Sequence, residues 1–110
     1  MRTYLPKEPR RDELELSSVL YALSDPIRLD IVEQLASVDS LACGNFRIEK
    51  PKSSLSHHFR VLRESGVVAT RRDGTALLNS LRSQDLELRF PGLLKAVLGG
   101  IPKRGRRVRS

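Results

Sequence analysis

The 110-residue sequence predicts a mainly α-helical domain that carries one β-hairpin. Apolar residues recur with helical spacing in the first third of the chain, between Lys52 and Glu64, and again after Ser83. Two β-favouring runs flank the dipeptide Asp73-Gly74, which is a frequent signal for a two-residue hairpin turn. A chain of this length forms one domain with a single modest core.

The first two helices are predicted from an apolar stripe and a capping signal. The first helix begins near Asp12, after an extended, Pro- and charge-rich arm at residues 1–11. Asp25 fits the N-cap of a second helix, Pro26–Ala36, because proline suits a first helical turn. This second helix is apolar over a wide arc, so we expect it to be central, with Arg28 in an internal ion pair. The stripe of the first helix consists of Leu16, Val19, Leu20 and Leu23.

The strongest helical pattern follows a less regular stretch. A short helix is expected around Leu41–Phe46, followed by a turn. The next helix spans Lys52 to Glu64, and Gly66 is a natural C-terminal stop for it. Its buried stripe is predicted to contain Leu55, Phe59 and Leu62, and its opposite face is polar.

The remaining elements are a hairpin and a broken helical region. The hairpin is predicted to turn at Asp73-Gly74 in the type I′ conformation. Ser83 can cap a helical region that Pro91 and Gly92 interrupt, because proline lacks an N–H and restricts the residue before it. The folded domain is expected to cover residues 12–98, and residues 99–110 are expected to form a basic, flexible tail.

The net charge of +7 is distributed unevenly. Residues 1–46 carry 5 basic and 8 acidic side chains, whereas residues 47–82 carry 8 basic and 3 acidic side chains. A basic region beside an acidic one indicates a face that binds a polyanion, and nucleic acid is favoured. Solubilisation by surface charge is the alternative interpretation.

The order of helices and hairpin is that of a winged helix-turn-helix module. An α-helix fits the major groove of DNA, where residues near its N-terminus reach base edges and phosphates. The hairpin, or wing, would place its arginines against the DNA backbone or the minor groove. The residues predicted to contact DNA are Lys52, Ser53, Ser54, Ser56, His57, Arg60, Arg71 and Arg72.

Three segments resemble the ArsR/SmtB family of bacterial transcriptional repressors. They are ALSDPIRLDIVEQLA (residues 22–36), KSSLSHHFRVLRESGVV (residues 52–68) and RRDGTALLNSLR (residues 71–82). The resemblance implies a homodimer joined by its N- and C-terminal helices, with the Lys52–Glu64 helix as the recognition helix. It also implies a double-stranded DNA operator as the partner and an inducer that releases it; the inducer is left unidentified.

The metal sites familiar in that family have no counterpart here. The region of the third helix offers only Cys43, and residues 83–102 contain no histidine. His57 and His58 are adjacent, so on a helix they diverge by about 100° and cannot comfortably share a metal. We expect no metal ligands and no cofactor, with His57 facing DNA and His58 in a structural hydrogen bond. Cys43 is expected to be a small buried hydrophobe, and redox sensing is the alternative.

Other classes of protein receive less support from the sequence. No catalytic residues are predicted, because no nucleophile–base order, phosphate loop or paired carboxylates appear, so we expect no enzyme activity. No membrane span or secretory signal is predicted, and the single cysteine is compatible with the cytoplasm. A non-specific nucleic-acid-binding or nucleoid-type protein is the main alternative, and a protein-interaction adaptor is a third.

Overall fold

A computed structural model describes residues 8–102, which form five α-helices and one three-stranded antiparallel sheet. Single 3-10 turns occur at Arg11–Glu13 and Cys43–Asn45. The predicted class, mainly α with a β-hairpin wing, is confirmed. Residues 1–7 of the predicted arm and residues 103–110 of the predicted tail lie outside the described residues. The elements are α1 Leu16–Ala22, α2 Pro26–Ala36, β1 Leu41–Ala42, α3 Lys52–Ser65, β2 Val68–Asp73, β3 Ala76–Leu81, α4 Ser83–Arg89 and α5 Leu93–Gly100.

The first helix is shorter than predicted, and its apolar stripe is divided. The backbone is extended at Leu14 and at Glu15, the N-cap, so α1 is separated from the preceding 3-10 turn. Leu14 is buried in the core from this extended link, as is Val19 from α1. Leu16 and Leu20 remain 47% and 46% exposed. The stripe therefore contributes both to the core and to the surface.

The second helix agrees with its prediction. The Asp25 carboxylate accepts hydrogen bonds from the backbone N–H groups of Ile27 and Arg28, at 2.8 and 3.1 Å, so Asp25 is the N-cap. The helix is central, because Ile31, Val32 and Leu35 are all buried.

The prediction of a short helix at Leu41–Phe46 is wrong for its first half. Leu41 and Ala42 form strand β1, which pairs with β3 so that Leu41 lies opposite Asn79. The Asn79 side-chain amide also donates to the Leu41 carbonyl oxygen, at 3.3 Å. Pairing with a strand so distant in sequence determines this conformation, and local periodicity does not reveal it.

The third helix has nearly the predicted bounds and the predicted stop. Gly66 adopts the left-handed conformation, with φ of 88°. Its N–H contacts the carbonyl oxygens of Leu62 and Arg63, and the N–H of Val67 donates to Leu62 at 3.1 Å. These bonds satisfy carbonyl groups at the end of the helix, and the glycine requirement follows from the positive φ.

The hairpin turns one residue later than predicted. Asp73 pairs with Ala76, so the two-residue loop is Gly74-Thr75. Only Gly74 of the two has a positive φ, of 65°, whereas a type I′ turn needs two, so that prediction is wrong. The register places Thr70 opposite Asn79, and the Thr70 hydroxyl donates to the Asn79 side-chain oxygen at 2.7 Å. This buried pair fixes the strand register, and that register places the turn at Gly74-Thr75, one residue later than predicted.

The C-terminal region is broken where the sequence indicates. Helix α4 ends at Arg89, and α5 begins after Gly92, whose φ is 84°. Ser83 is the first residue of α4 rather than its cap, because Arg82 occupies the N-cap without a side-chain cap bond. Within residues 8–102, no helix has both the length and the apolar character that crossing a membrane requires.

Residues just before the predicted domain boundary pack against the sheet and α4. The Glu8 carboxylate accepts a hydrogen bond from the Thr70 N–H at 2.9 Å, and the Pro9 carbonyl oxygen accepts one from Arg82 at 2.7 Å. Arg11 donates to Asp85 at 2.7 Å, and this bond lowers the pKa of the Asp85 carboxyl. These contacts begin four residues before the predicted boundary at residue 12, and the division into arm, domain and tail stays a prediction.

The Gly66→Ala substitution should destabilise the fold. A Cβ at this position would overlap the Leu14 side chain, and alanine is strained at positive φ. We expect a loss of about 1–3 kcal/mol in the free energy of unfolding, measured by urea denaturation. Gly44→Ala is the matched control, because nothing lies within 4 Å of its added Cβ. Equal effects at the two positions would contradict the role given to Gly66.

Candidate nucleic-acid interface

Helix α3 has one buried side and one exposed, polar side. Phe59 and Leu62 are buried, and Leu55 is partly buried, as the spacing predicts. All six predicted contact residues on this helix are exposed in the structure. They are Lys52, Ser53, Ser54, Ser56, His57 and Arg60.

The N-terminus of α3 is suited to an anionic partner. Its N-cap is Pro51, which makes no side-chain cap bond, and the first turn contains no acidic residue. The first N–H groups of a helix lack partners within that helix and carry the positive end of its dipole. Lys52 adds a cation at the same end. This end of α3 therefore has the electrostatic character that phosphate binding requires.

The two wing arginines lie on the outer half of β2. Arg71 and Arg72 are exposed, whereas Val68 and Thr70, nearer the start of the strand, are buried. Arg72 donates a hydrogen bond to the Gly74 carbonyl oxygen at 3.3 Å. Helix α3 packs directly against β2, so the wing and the polar helix are neighbours.

The two adjacent histidines have different surroundings. His57 is exposed, whereas His58 is largely covered, with its Nδ1 atom 3.1 Å from Nη1 of Arg28. A guanidinium only donates, so Nδ1 of His58 accepts and its ring proton resides on Nε2. The Asp25 carboxylate lies 3.7 Å from the same nitrogen. The prediction that His58 makes a structural hydrogen bond is confirmed.

Arg28 joins three helices through neutral partners. Its side chain donates to the carbonyl oxygens of Ala22 and Tyr21, at 2.8 and 3.2 Å, and to His58. The guanidinium also lies over the Tyr21 ring, 5.1 Å from the centroid. These carbonyl and imidazole contacts take the place of the internal ion pair that was expected. They anchor α3 to the ends of α1 and α2.

Cys43 is partly buried beside the sheet. Its sulfur accepts a hydrogen bond from the Asn79 side-chain amide at 3.3 Å. Within residues 8–102, no group of three or more His, Cys, Asp or Glu side chains is arranged to hold a metal ion. Arg63 was not among the predicted site residues; it follows the buried Leu62 and lines a pocket with Cys43. Its position at the edge of the buried stripe was the available signal.

A helix-turn-helix core with an exposed polar helix and an arginine-bearing hairpin defines a winged helix DNA-binding protein. A family model described as a helix-turn-helix domain matches residues 23–71. The uncharacterised HTH-type transcriptional regulator YceK of Bacillus subtilis (strain 168) is 35% identical over 89 residues, which cover 78% of this chain and 89% of that protein. The arsenical resistance operon repressor of Staphylococcus xylosus is 36% identical over 76 residues, which cover 66% and 71%.

A solved structure agrees with these relatives. The transcriptional repressor BigR from Xylella fastidiosa superposes with a TM-score of 0.62 at 27% identity, over 81% of this chain and 88% of that one. The chain belongs to the ArsR/SmtB family of transcriptional repressors. It is a DNA-binding transcriptional repressor with a winged helix-turn-helix fold, as the resemblance implied.

The pH dependence of stability should report on His58. Burial lowers its pKa from the ordinary value of 6.5, and the charges of Arg28 and His57 lower it further, while Asp25 opposes them. Below 6.5 the unfolded chain therefore binds more protons at His58 than the folded chain does. Stability rises with pH wherever the unfolded state binds more protons. The contribution of neutral His58 is thus complete above pH 6.5 and is lost as the pH falls toward the lower, folded pKa.

We expect His58→Asn to flatten this dependence, because an amide oxygen still accepts from Arg28 but does not titrate. Urea denaturation between about pH 5 and 8, where histidine changes charge, provides the measurement. His57→Asn is the matched control and should keep the dependence. The assignment fails if His57→Asn, and not His58→Asn, removes it.

Proposed function

We propose that the protein represses transcription by binding an operator as a two-fold homodimer, with the N-terminal half of α3 in the major groove. The observation that carries the proposal is the exposed α3 face, where serines, His57 and cations lie at a helix end without acidic residues. The Arg28–His58 contact supports the rigid presentation of that face. Release of the operator is proposed to follow binding of an inducer.

The proposed contacts divide into two kinds. Ser53, Ser56 and His57 have short or planar side chains, which suit hydrogen bonds to base edges. Arg71 and Arg72 are long cations, which suit phosphate, as do Lys52 and Arg60. Base contacts carry sequence information, whereas phosphate contacts supply affinity by releasing counterions. Ser54 completes the proposed set at the start of the helix.

We propose the homodimer because the outer helices α1 and α4 expose apolar side chains. Leu16, Leu20 and Tyr21 of α1 are 47%, 46% and 59% exposed, and Leu88 of α4 is 56% exposed. Apolar surface of this kind is often covered by a second copy in a symmetric dimer. On α5, the side chains of Leu93, Val97 and Leu98 are only partly buried. They add apolar surface at the C-terminal end that a second copy would cover.

With DNA as the partner, three further proposals concern enzyme activity, location and the basic C-terminal residues. A repressor that works by occupying an operator needs no catalytic step, so no enzyme activity is proposed. A protein whose partner is the operator acts where DNA is present, and the cytoplasm is the proposed location. The basic residues 103–110 are proposed to add non-specific affinity for DNA. They lie outside the described residues.

Substitutions should separate the residues that read sequence from those that supply affinity. His57→Ala or Ser56→Ala should reduce discrimination between operator and scrambled duplex by about 1–3 kcal/mol, the usual worth of a good base contact. Arg72→Ala should weaken binding to both duplexes and lower the salt slope by about 0.9 for the lost phosphate contact. Fluorescence titrations at several salt concentrations, with an operator selected from a random DNA pool, measure both effects.

Arg72→Lys is the matched control, because it keeps the charge and should keep the salt slope. A uniform loss of affinity for both duplexes in His57→Ala, with loss of specificity in Arg72→Ala, would reverse the two roles. Equal affinity of the unmodified protein for operator and scrambled DNA would favour a non-specific nucleic-acid-binding protein.

The homodimer should be sensitive to charge on α1. Light scattering at micromolar concentration should give twice the chain mass of 12.4 kDa. Leu20→Glu should give the mass of one chain, because a carboxylate cannot be buried against an apolar partner at small cost. Val38→Glu is the control, since Val38 is also exposed, at 44%, but follows α2 rather than lying on an outer helix. A monomer mass for the unmodified protein would refute the dimer.

A further inference from the structure

A pocket of about 330 Å³ lies between α3, the 3-10 turn at Cys43–Asn45 and β3. Its apolar lining is provided by Leu55, Phe59 and Leu77. This volume is at the lower end of the range, about 300–1,000 Å³, found for small-molecule sites. A molecule the size of a single substituted ring would therefore fit. The polar lining consists of Cys43, Lys52, Ser56 and Arg63.

The charges around the pocket are positive and lack a counterion. Lys52 and Arg63 line it, and no acidic residue does. Within residues 8–102, neither cation forms an ion pair with a carboxylate. An anionic oxygen is the strongest hydrogen-bond acceptor for cationic side chains such as these two.

We propose that this pocket binds a small aromatic carboxylate. The ring would contact Leu55, Phe59 and Leu77, and the carboxylate would accept a hydrogen bond from Lys52. Arg63, which also lines the pocket, would add positive charge at its other end. Both the apolar and the charged parts of the site are thus matched by one class of ligand.

Because the pocket adjoins the proposed DNA-contacting face, a ligand bound in it would interfere with DNA binding. Lys52 and Ser56 line the pocket and also belong to the proposed DNA-contacting set. A carboxylate bound to Lys52 would neutralise the charge that a phosphate needs, and the ligand would cover Ser56. Ligand and operator therefore compete, without any change of fold. This step rests on the proposed function, and it assigns a chemical class to the inducer.

Cys43 permits a test of the pocket without DNA, because it lines the pocket and is the single cysteine of the chain. Alkylation by iodoacetamide, followed by intact mass, reports access to this thiol. Phenylacetate should slow the alkylation in a saturable manner. Phenylacetamide, which lacks the charge, and acetate, which lacks the ring, should leave the rate unchanged. Equal protection by phenylacetamide, or no protection by phenylacetate, overturns the inference.

Substitutions locate the ligand. Lys52→Met should weaken phenylacetate binding about tenfold or more, as loss of a hydrogen bond to a charged group predicts, and Arg63→Met should weaken it less, because it removes only a more distant positive charge. Lys50→Met is the matched control for Lys52→Met, because Lys50 does not line the pocket. Circular dichroism shows whether the variants are folded. Since Lys52 is exposed, Lys52→Met remains informative if Arg63→Met does not fold.

A DNA titration tests whether the ligand and the operator compete. It also distinguishes failure of the pocket from failure of the proposed function. Phenylacetate should raise the apparent Kd for the selected operator in proportion to one plus its concentration divided by its own Kd. A complex of protein, operator and phenylacetate with undiminished affinity overturns the competition. If phenylacetate protects Cys43 but the protein binds no duplex, the pocket is supported and the proposed function is refuted. If the protein binds the operator but phenylacetate does not protect Cys43, the proposed function is supported and the pocket is refuted.

Discussion

The orientation of α3 depends on one buried guanidinium. Arg28 is only 5% exposed, and taking such a charge out of water is unfavourable unless its donors are satisfied. Its partners are carbonyl oxygens at the C-terminal end of α1, where the helix dipole is negative, and the imidazole of His58 on α3. Because Arg28 lies on α2, all three helices are held by one group. The direction in which α3 presents its polar face follows from this contact.

A second set of buried polar groups connects the wing to the rest of the sheet. Asn79 on the central strand is fully buried; it accepts from Thr70 on β2 and donates to Leu41 on β1 and to Cys43. A buried amide that is satisfied on both sides specifies one register, since any slip would leave its donors and acceptors unpaired. The hairpin that carries the wing arginines is thereby aligned with the wall of the pocket beside α3.

Local signals predicted those parts of the fold that local chemistry determines. The cap at Asp25, the stop at Gly66 and the break at Pro91 each depend on one residue and its neighbours, and all were predicted correctly. The exposed face of α3 followed from helical spacing for the same reason. Strand β1 and the shifted hairpin turn depend on Asn79, a partner distant from β1 in sequence, so no local pattern could indicate them. The pocket was missed because several separate segments form it.

The bond between Glu8 and Thr70 has a consequence for the solubility of the folded protein. Strand β2 is at the edge of the sheet, so the N–H groups on its outer side are available to the strand of another molecule. The Glu8 carboxylate occupies one of these donors, at the half of the strand that is buried. Beyond it, Arg71 and Arg72 bring like charges that repel a second copy of the same edge. Glu8 and the wing arginines together therefore protect this edge of the sheet from edge-to-edge aggregation, which is compatible with the proposed association of two chains through their helices.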